Sequence, residues 1–233
     1  MKITAPHSWQ VSTTEAREIQ LSLREKVSLV AGFDEVRTVA GVDVGVKGEL
    51  ARAAVVVLSY PGLAPLAQSV AEKPVLMPYI PGFLSFREAP AIIAACENLT
   101  IDPDLFIFDG QGIAHPRRLG IASHVGLILD KPSIGCAKSR LCGTHHEPAA
   151  EAGSYVHLYD GDDVIGAVLR TRDSVSPVYV SVGHRIDLET VIEYVLGCCK
   201  GYRLPETTRH AHRVASGEES PSEAEQPSLF DLS

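Results

Sequence analysis

Val39-Ala40-Gly41-Val42-Asp43-Val44-Gly45-Val46 is a valine-rich apolar run that reads as a strand buried on both faces. Side chains alternate across a strand. Ala40, Val42, Val44 and Val46 therefore share one face, and Val39, Gly41, Asp43 and Gly45 the other. That second face carries one carboxylate with a glycine two residues away on either side. Burying an acid is costly unless something compensates. A divalent cation would compensate, and the missing side chains would let a substrate phosphate approach. On this stretch alone, an aspartate in a strand-end turn is the alternative.

The flanking sequence builds a sheet around this run. Ser12 and Glu15 are spaced as a capping box, and Ala16, Ile19, Leu23, Val27 and Val30 follow at helical intervals. Residues 13–31 thus read as an amphipathic helix on the outside of the domain. Strand 39–46 is followed by the turn Lys47-Gly48-Glu49, a second strand over 51–60 closed by Pro61-Gly62, and a weaker third over 66–75. Three strands joined by short turns make an antiparallel meander. A loop with prolines and a glycine, Met77–Phe86, leads into a helix over 85–99. On it Glu88, Ile92, Ala95 and Leu99 share the stripe that packs on the sheet. Leu105-Phe106-Ile107-Phe108-Asp109 is a fourth strand ending in a carboxylate. A helix near 121–129 precedes a fifth strand, 133–138, with Ile134, Cys136 and Lys138 on one face. Short strands over 163–170 and 177–182 and a helix over 187–200 complete the pattern. The expected fold is an α/β mixed sheet, three antiparallel strands then parallel ones, with helices on both faces. The domain spans 1–213, and 214–233, dominated by Gly, Ser, Glu and Pro, reads as a disordered acidic tail.

The 233 residues carry a net charge of −8, which at first argues against a nucleic-acid partner. The distribution of that charge points the other way. The tail holds Glu218, Glu219, Glu223, Glu225 and Asp231 without a basic residue. Arg117, Arg118, Lys131, Lys138 and Arg140 face Asp130 alone within 111–146, and Lys200, Arg203, Arg209 and Arg213 face Glu206 within 198–213. Basic segments beside clustered acids suit a polyanion held at a metal site. No apolar run approaches the ~20 residues of a membrane helix, and the N-terminus has no apolar signal core, so a cytoplasmic protein is expected. The five cysteines lack regular spacing and fit a reducing compartment. Cys142, His145 and His146 read as a surface loop, because no second ligand pair stands at zinc spacing.

Two strand-end aspartates, Asp43 and Asp109, and Glu88 on the sheet-facing side of a helix are the candidate chemical centre. Hard cations such as Mg²⁺ are held by carboxylates together with substrate phosphate oxygens, and mutual repulsion among the acids calls for such an ion. Lys138 and His212 are candidates to balance charge or orient a water.

Three further stretches bear on this centre. Met77-Pro78-Tyr79-Ile80-Pro81-Gly82-Phe83-Leu84-Ser85-Phe86-Arg87-Glu88 is one. The others are the run from Asp109-Gly110 through Gly112-Ile113 and His115-Pro116-Arg117-Arg118 to Gly120, and Gly201-Tyr202-Arg203-Leu204-Pro205. Together with 39–46 they resemble, in order, the signatures of the endonuclease V family. The resemblance implies a ribonuclease H-like fold and a Mg²⁺-dependent deoxyinosine 3′ endonuclease, with Mn²⁺ as a substitute ion. Such an enzyme recognises hypoxanthine in DNA and nicks one nucleotide to its 3′ side for repair, leaving 3′-hydroxyl and 5′-phosphate ends. An inosine-specific endoribonuclease and a non-cleaving lesion-binding adaptor are the alternatives. By motif, Asp43, Glu88 and Asp109 are metal-binding catalytic acids, and Lys138 and His212 match functional positions. Thr207 departs from the family's proline, which puts the placement of His212 in question, and Gln111 stands where some relatives have histidine.

Pro78 and Pro81 stiffen the loop carrying Tyr79, which suits a wedge that fills the stack when a base flips out; core packing is the alternative for this ring. Gly82, Gly110, Gly112 and Gly120 would let backbone groups approach and read hypoxanthine. Ile80, Leu84 and Ile121 are expected as pocket residues. His115 resembles a position near the metal, with helix capping or phosphate contact as alternatives. The expected protein is a monomer. Gln226, Leu229 and Phe230 in the tail resemble a sliding-clamp docking peptide.

Overall fold

Valine density and period-two alternation make the run around Asp43 the strand on which the sheet is assembled. In the computed structural model, which describes residues 3–33 and 35–217, that strand is β1 (Thr38–Lys47). It pairs antiparallel with β2 (Leu50–Ser59), and β2 pairs antiparallel with β3 (Pro65–Pro74). On its other edge β1 pairs parallel with β4 (Leu105–Phe108), and β4 parallel with β5 (Ser133–Ala137). An antiparallel extension follows, made of β6 (Tyr155–Asp160), β7 (Asp163–Leu169) and β8 (Val178–His184). The eight strands lie in the order β3-β2-β1-β4-β5-β8-β7-β6. The expected meander and parallel centre are both present. β6 is an addition, illegible in the sequence because its outward Tyr155, His157 and Tyr159 break the apolar alternation.

Helices cover both faces. α2 (Leu84–Glu97) and α3 (Ile121–Leu129) bury Ala89, Ile92, Ala95, Ala122 and Val125 against Ala40, Val42, Val55, Val57, Phe106 and Phe108. On the opposite face α4 (Leu188–Gly197) and α5 (Glu206–Ala215) pack on Val39, Ala54, Val56, Leu105, Ile107 and Ile134. The stripe Glu88, Ile92, Ala95 is sheet-facing, as its spacing requires. α1 (Thr13–Arg24) begins at Ser12 with the capping box formed and packs Ala16 and Ile19 with Met77, Ile80, Phe83 and Phe86.

α1 stops at Arg24 rather than reaching 31. Beyond it the backbone of Ser28 exchanges hydrogen bonds with Arg185 N–H and His184 Nδ1. Val30 is left exposed, so its helical spacing is accidental. α5 runs through Ala215, and Val214 and Ala215 belong to the core. Residues 218–233, with the acidic cluster and Gln226, Leu229 and Phe230, lie outside the described residues. No described helix is long and apolar enough to cross a membrane, and the cysteines are free thiols.

The glycines flanking Asp43 do not clear a path for a phosphate, as their spacing led us to expect. They seat α5. A Cβ on Gly41 would stand 1.9 Å from the Thr207 carbonyl oxygen, and one on Gly45 3.3 Å from that of Ala215. The sheet therefore accepts a helix at contact distance on the face that carries Asp43. Gly41→Ala is expected to destabilise the fold by about 3 kcal/mol, because backbone must move. Gly45→Ala, whose contact a small shift relieves, is expected to cost about 1 kcal/mol or less. Urea denaturation of the two variants checks the ordering, and equal midpoints would contradict it.

Candidate active site

Register decides where the acids lie. Val42 stands opposite Phe108 in the parallel pair, so Asp43 and Asp109 are the next residues along two adjacent strands. The Asp109 N–H donates to the Val42 carbonyl at 3.0 Å. Alternation puts both side chains on the α5 face. Glu88 comes from the opposite layer and joins them at the strand ends, in a cleft lined by Val42, Val44, Ile92, Phe108 and Ile121.

Each aspartate has a partner. His212 Nδ1 lies 2.7 Å from Asp43 Oδ2, and Lys138, just past β5, donates from Nζ to Asp109 Oδ2. The Lys138 placement follows from Ile134 and Cys136 sharing its face. His212 reaches Asp43 because α5 rests on Gly41, with Thr207 at that contact. An ionised carboxylate only accepts, so His212 donates to Asp43 from Nδ1–H. Its side chain is 59% exposed, which leaves Nε2 open to substrate.

Among the described residues Glu88 has no such partner. Burial pushes its carboxyl up to about 8; Arg87 opposes the shift, and the charges on Asp43 and Asp109 add to it. Burial likewise raises Asp109, against the pull of Lys138. Among the described residues no three His, Cys, Asp or Glu side chains are gathered so as to hold a metal ion as they stand. One oxygen of Asp43 is turned to His212 and one of Asp109 to Lys138. The donor set is nonetheless three carboxylates around one cleft, all hard oxygens, and a divalent cation fits it.

Asp109 also lines a second space, a cavity of about 430 Å³. Its walls include Tyr79, Ile80, Gly82, Leu84, Gly110, Gln111, His115, Gly120 and Ile121, together with Lys138 and two residues that the motifs do not assign to a pocket, Gln20 and Ser85. Pro78 and Gly112 are not on the wall. Gly112 is buried against β8, where a Cβ would meet the Val182 carbonyl at 2.0 Å. Its N–H donates to Ser181 Oγ, so it cannot read a base. Gly120 is likewise a packing glycine, 2.3 Å from Gln111 O at the Cβ position.

Tyr79 stands 64% exposed at the loop tip, with the Arg87 guanidinium 5.6 Å from its ring centroid; it is not a core aromatic. The loop behind it is fixed at one atom. The Gly82 carbonyl accepts from Gln20 Nε2 at 3.0 Å, His115 Nε2 at 3.0 Å and a terminal guanidinium nitrogen of Arg117 at 2.6 Å. His115 Nδ1 accepts from the Arg117 N–H, and burial pushes this imidazole down to about 4. It is a neutral strut for the loop rather than a metal or phosphate contact. Gln20 carries no sequence signal, since a polar residue within an amphipathic helix reads as surface.

The basic segments are less available than their count implied. Arg118 pairs with Asp160, Lys131 with Asp102, and Arg209 with Glu206. Arg203 donates to the Lys138 and Pro177 carbonyls. Lys138 and Arg140 remain beside both the cavity and an adjoining groove of about 630 Å³. His145 lies beside Tyr179, with a ring centroid separation of 5.6 Å.

The family model for Endonuclease V matches residues 21–213. Endonuclease V of Alkalilimnicola ehrlichii is 54% identical over 226 residues, covering 95% of this chain and 99% of its own. The crystal structure of endonuclease V from Streptomyces avermitilis superposes with a TM-score of 0.86 at 39% identity, covering 93% of this chain and 97% of that one. Ciona intestinalis endonuclease V, in complex with a 24mer DNA containing an inosine followed by a ribo-adenosine, superposes at 0.72 with 28% identity, covering 88% and 96%.

The Glu88 environment has a measurable consequence. Folded Glu88 keeps its proton up to about 8, whereas the ordinary value is 4.5, so between those values the folded state binds more protons than the unfolded. Stability in chelator is therefore expected to fall as pH rises from about 4.5 to about 8. Glu88→Gln should flatten most of that decline in urea melts across the range. A decline equally steep in the variant would assign it to other groups.

Proposed function

The chain belongs to the endonuclease V family, a nuclease that hydrolyses DNA, and from that premise we propose that it is a Mg²⁺-dependent deoxyinosine 3′ endonuclease. The observation that carries the reading is that Asp109 borders both spaces, the acid cleft and the 430 Å³ cavity. A base flipped into the cavity brings a neighbouring phosphate to the acids. This supports a nick close to the lesion, and the family resemblance implies that it falls one nucleotide to the 3′ side.

Asp43, Glu88 and Asp109 would hold Mg²⁺. When bound, the ion would supply positive charge to offset the negative charge that develops on the phosphoryl and leaving oxygens. The protein's own groups do the rest. Lys138 lies over Asp109 and lends its ammonium charge to a phosphate oxygen. His212, held through Nδ1–H by Asp43, offers Nε2 to take a proton from the attacking water. The Tyr79 ring fills the gap that the extruded base leaves in the stack, and the clamp on the Gly82 carbonyl keeps the loop from yielding. Apolar walls at Leu84 and Ile121 hold the base.

The test is cleavage of matched duplexes bearing one hypoxanthine or one adenine, with and without Mg²⁺. Cleavage of the hypoxanthine strand alone, only with the ion, one nucleotide to the 3′ side, is expected. Asp43→Ala should lower the rate by about a thousandfold or more, and His212→Ala by about a hundredfold. Cleavage of either duplex in chelator, or full activity in Asp43→Ala, contradicts the assignment. Faster cleavage of an inosine-bearing RNA would move the substrate class to RNA.

A further inference from the structure

Ser85 lies in the first turn of α2, is buried, and lines the 430 Å³ cavity. Its hydroxyl ends a chain of three hydrogen bonds that leads away from the cavity. Ser85 Oγ is 2.8 Å from His124 Nδ1, His124 Nε2 is 2.7 Å from His7 Nε2, and His7 Nδ1 is 2.8 Å from the Ser8 carbonyl oxygen.

The direction of every bond in this chain follows from its last member. A carbonyl oxygen only accepts, so His7 carries its proton on Nδ1. Burial pushes His7 down from its ordinary value and His124 to about 3, so both rings are neutral near pH 7. Neutral His7 then has a bare Nε2, which must accept from His124 Nε2–H. Neutral His124 has a bare Nδ1, which must accept from the Ser85 hydroxyl. Trp9 and Phe86 pack their rings 5.2 and 5.3 Å from that of His124, an apolar surround that leaves little room for a competing water.

The single proton of Ser85 is thereby committed to His124, so toward a base in the cavity this hydroxyl can act only as an acceptor. Hypoxanthine carries a proton on N1. Adenine and unsubstituted purine carry a lone pair there. We propose that Ser85 is a specificity-determining residue of the base pocket, an acceptor for hypoxanthine N1–H whose polarity is set by the His124–His7 relay. This rests on the hypoxanthine reading above and adds a side-chain reader to it. Two of the relay's members, His7 and Ser8, lie outside the 21–213 match to the family model.

The test is a four-corner binding cycle in EDTA, which stops cleavage. Wild type and Ser85→Ala are titrated with oligonucleotides bearing hypoxanthine or unsubstituted purine at one position. Ser85→Ala is expected to weaken binding of the hypoxanthine strand about tenfold or more and to leave the purine strand unchanged or tighter. Equal loss on both strands overturns the proposal. His7→Phe, which keeps an aromatic ring against Trp9 and Phe86 but removes the acceptor, frees His124 to adopt either tautomer. It should narrow the hypoxanthine-to-purine preference several-fold, and an unchanged preference also overturns the relay. If wild type does not prefer the hypoxanthine strand to the purine strand, the functional reading itself fails; a wild-type preference without the Ser85 difference sinks only this inference.

Discussion

The parallel pairing of β1 with β4 is the constraint on which the site depends. Its register, Val42 opposite Phe108, puts Asp43 and Asp109 one step further along neighbouring strands, where their charges meet. Carboxylates so placed raise the cost of ionising one another. The protein answers with His212 from α5 and Lys138 from the end of β5. Glu88 arrives from the other layer with no cation of its own beyond the charge on Arg87. The fold therefore leaves the centre short of positive charge, and a divalent ion is the simplest remedy.

Helix α5 makes this balance geometrically feasible. It can approach β1 only because positions 41 and 45 lack side chains, and that approach brings His212 within 2.7 Å of Asp43. Helix packing and the His212–Asp43 pair thus depend on one contact. A second shared element is the Gly82 carbonyl, where α1, through Gln20, and the post-β4 loop, through His115 and Arg117, converge on the segment that displays Tyr79. The loop is anchored by elements outside itself.

Much of this was legible in the sequence, for specific reasons. Period-two alternation put Asp43 and Asp109 on definable faces, and the spacing of Glu88, Ile92 and Ala95 turned Glu88 to the sheet. Lys138 followed from Ile134 and Cys136. Other features depend on contacts between distant segments, to which local pattern is blind. Gly41 reads as space until α5 occupies it. Gly112 reads as a ligand contact until β8 is placed behind it. α5 went unassigned because its buried Thr207 and Thr208 sit among charged residues and break the usual apolar stripe. The basic clusters were counted correctly, but their acidic partners Asp102 and Asp160 come from other strands and loops. Gln20 and the Ser85–His124–His7 relay are long-range hydrogen bonds with no local signature.

If these acids form a cation site, Glu88 must surrender a proton when the ion binds. Calorimetric titration of Mg²⁺ near pH 7, in two buffers of different ionisation enthalpy, measures this directly. Release of close to one proton per ion bound is expected, and it should be abolished in Glu88→Gln. Binding without proton release, or release that persists in the variant, would contradict the cation site.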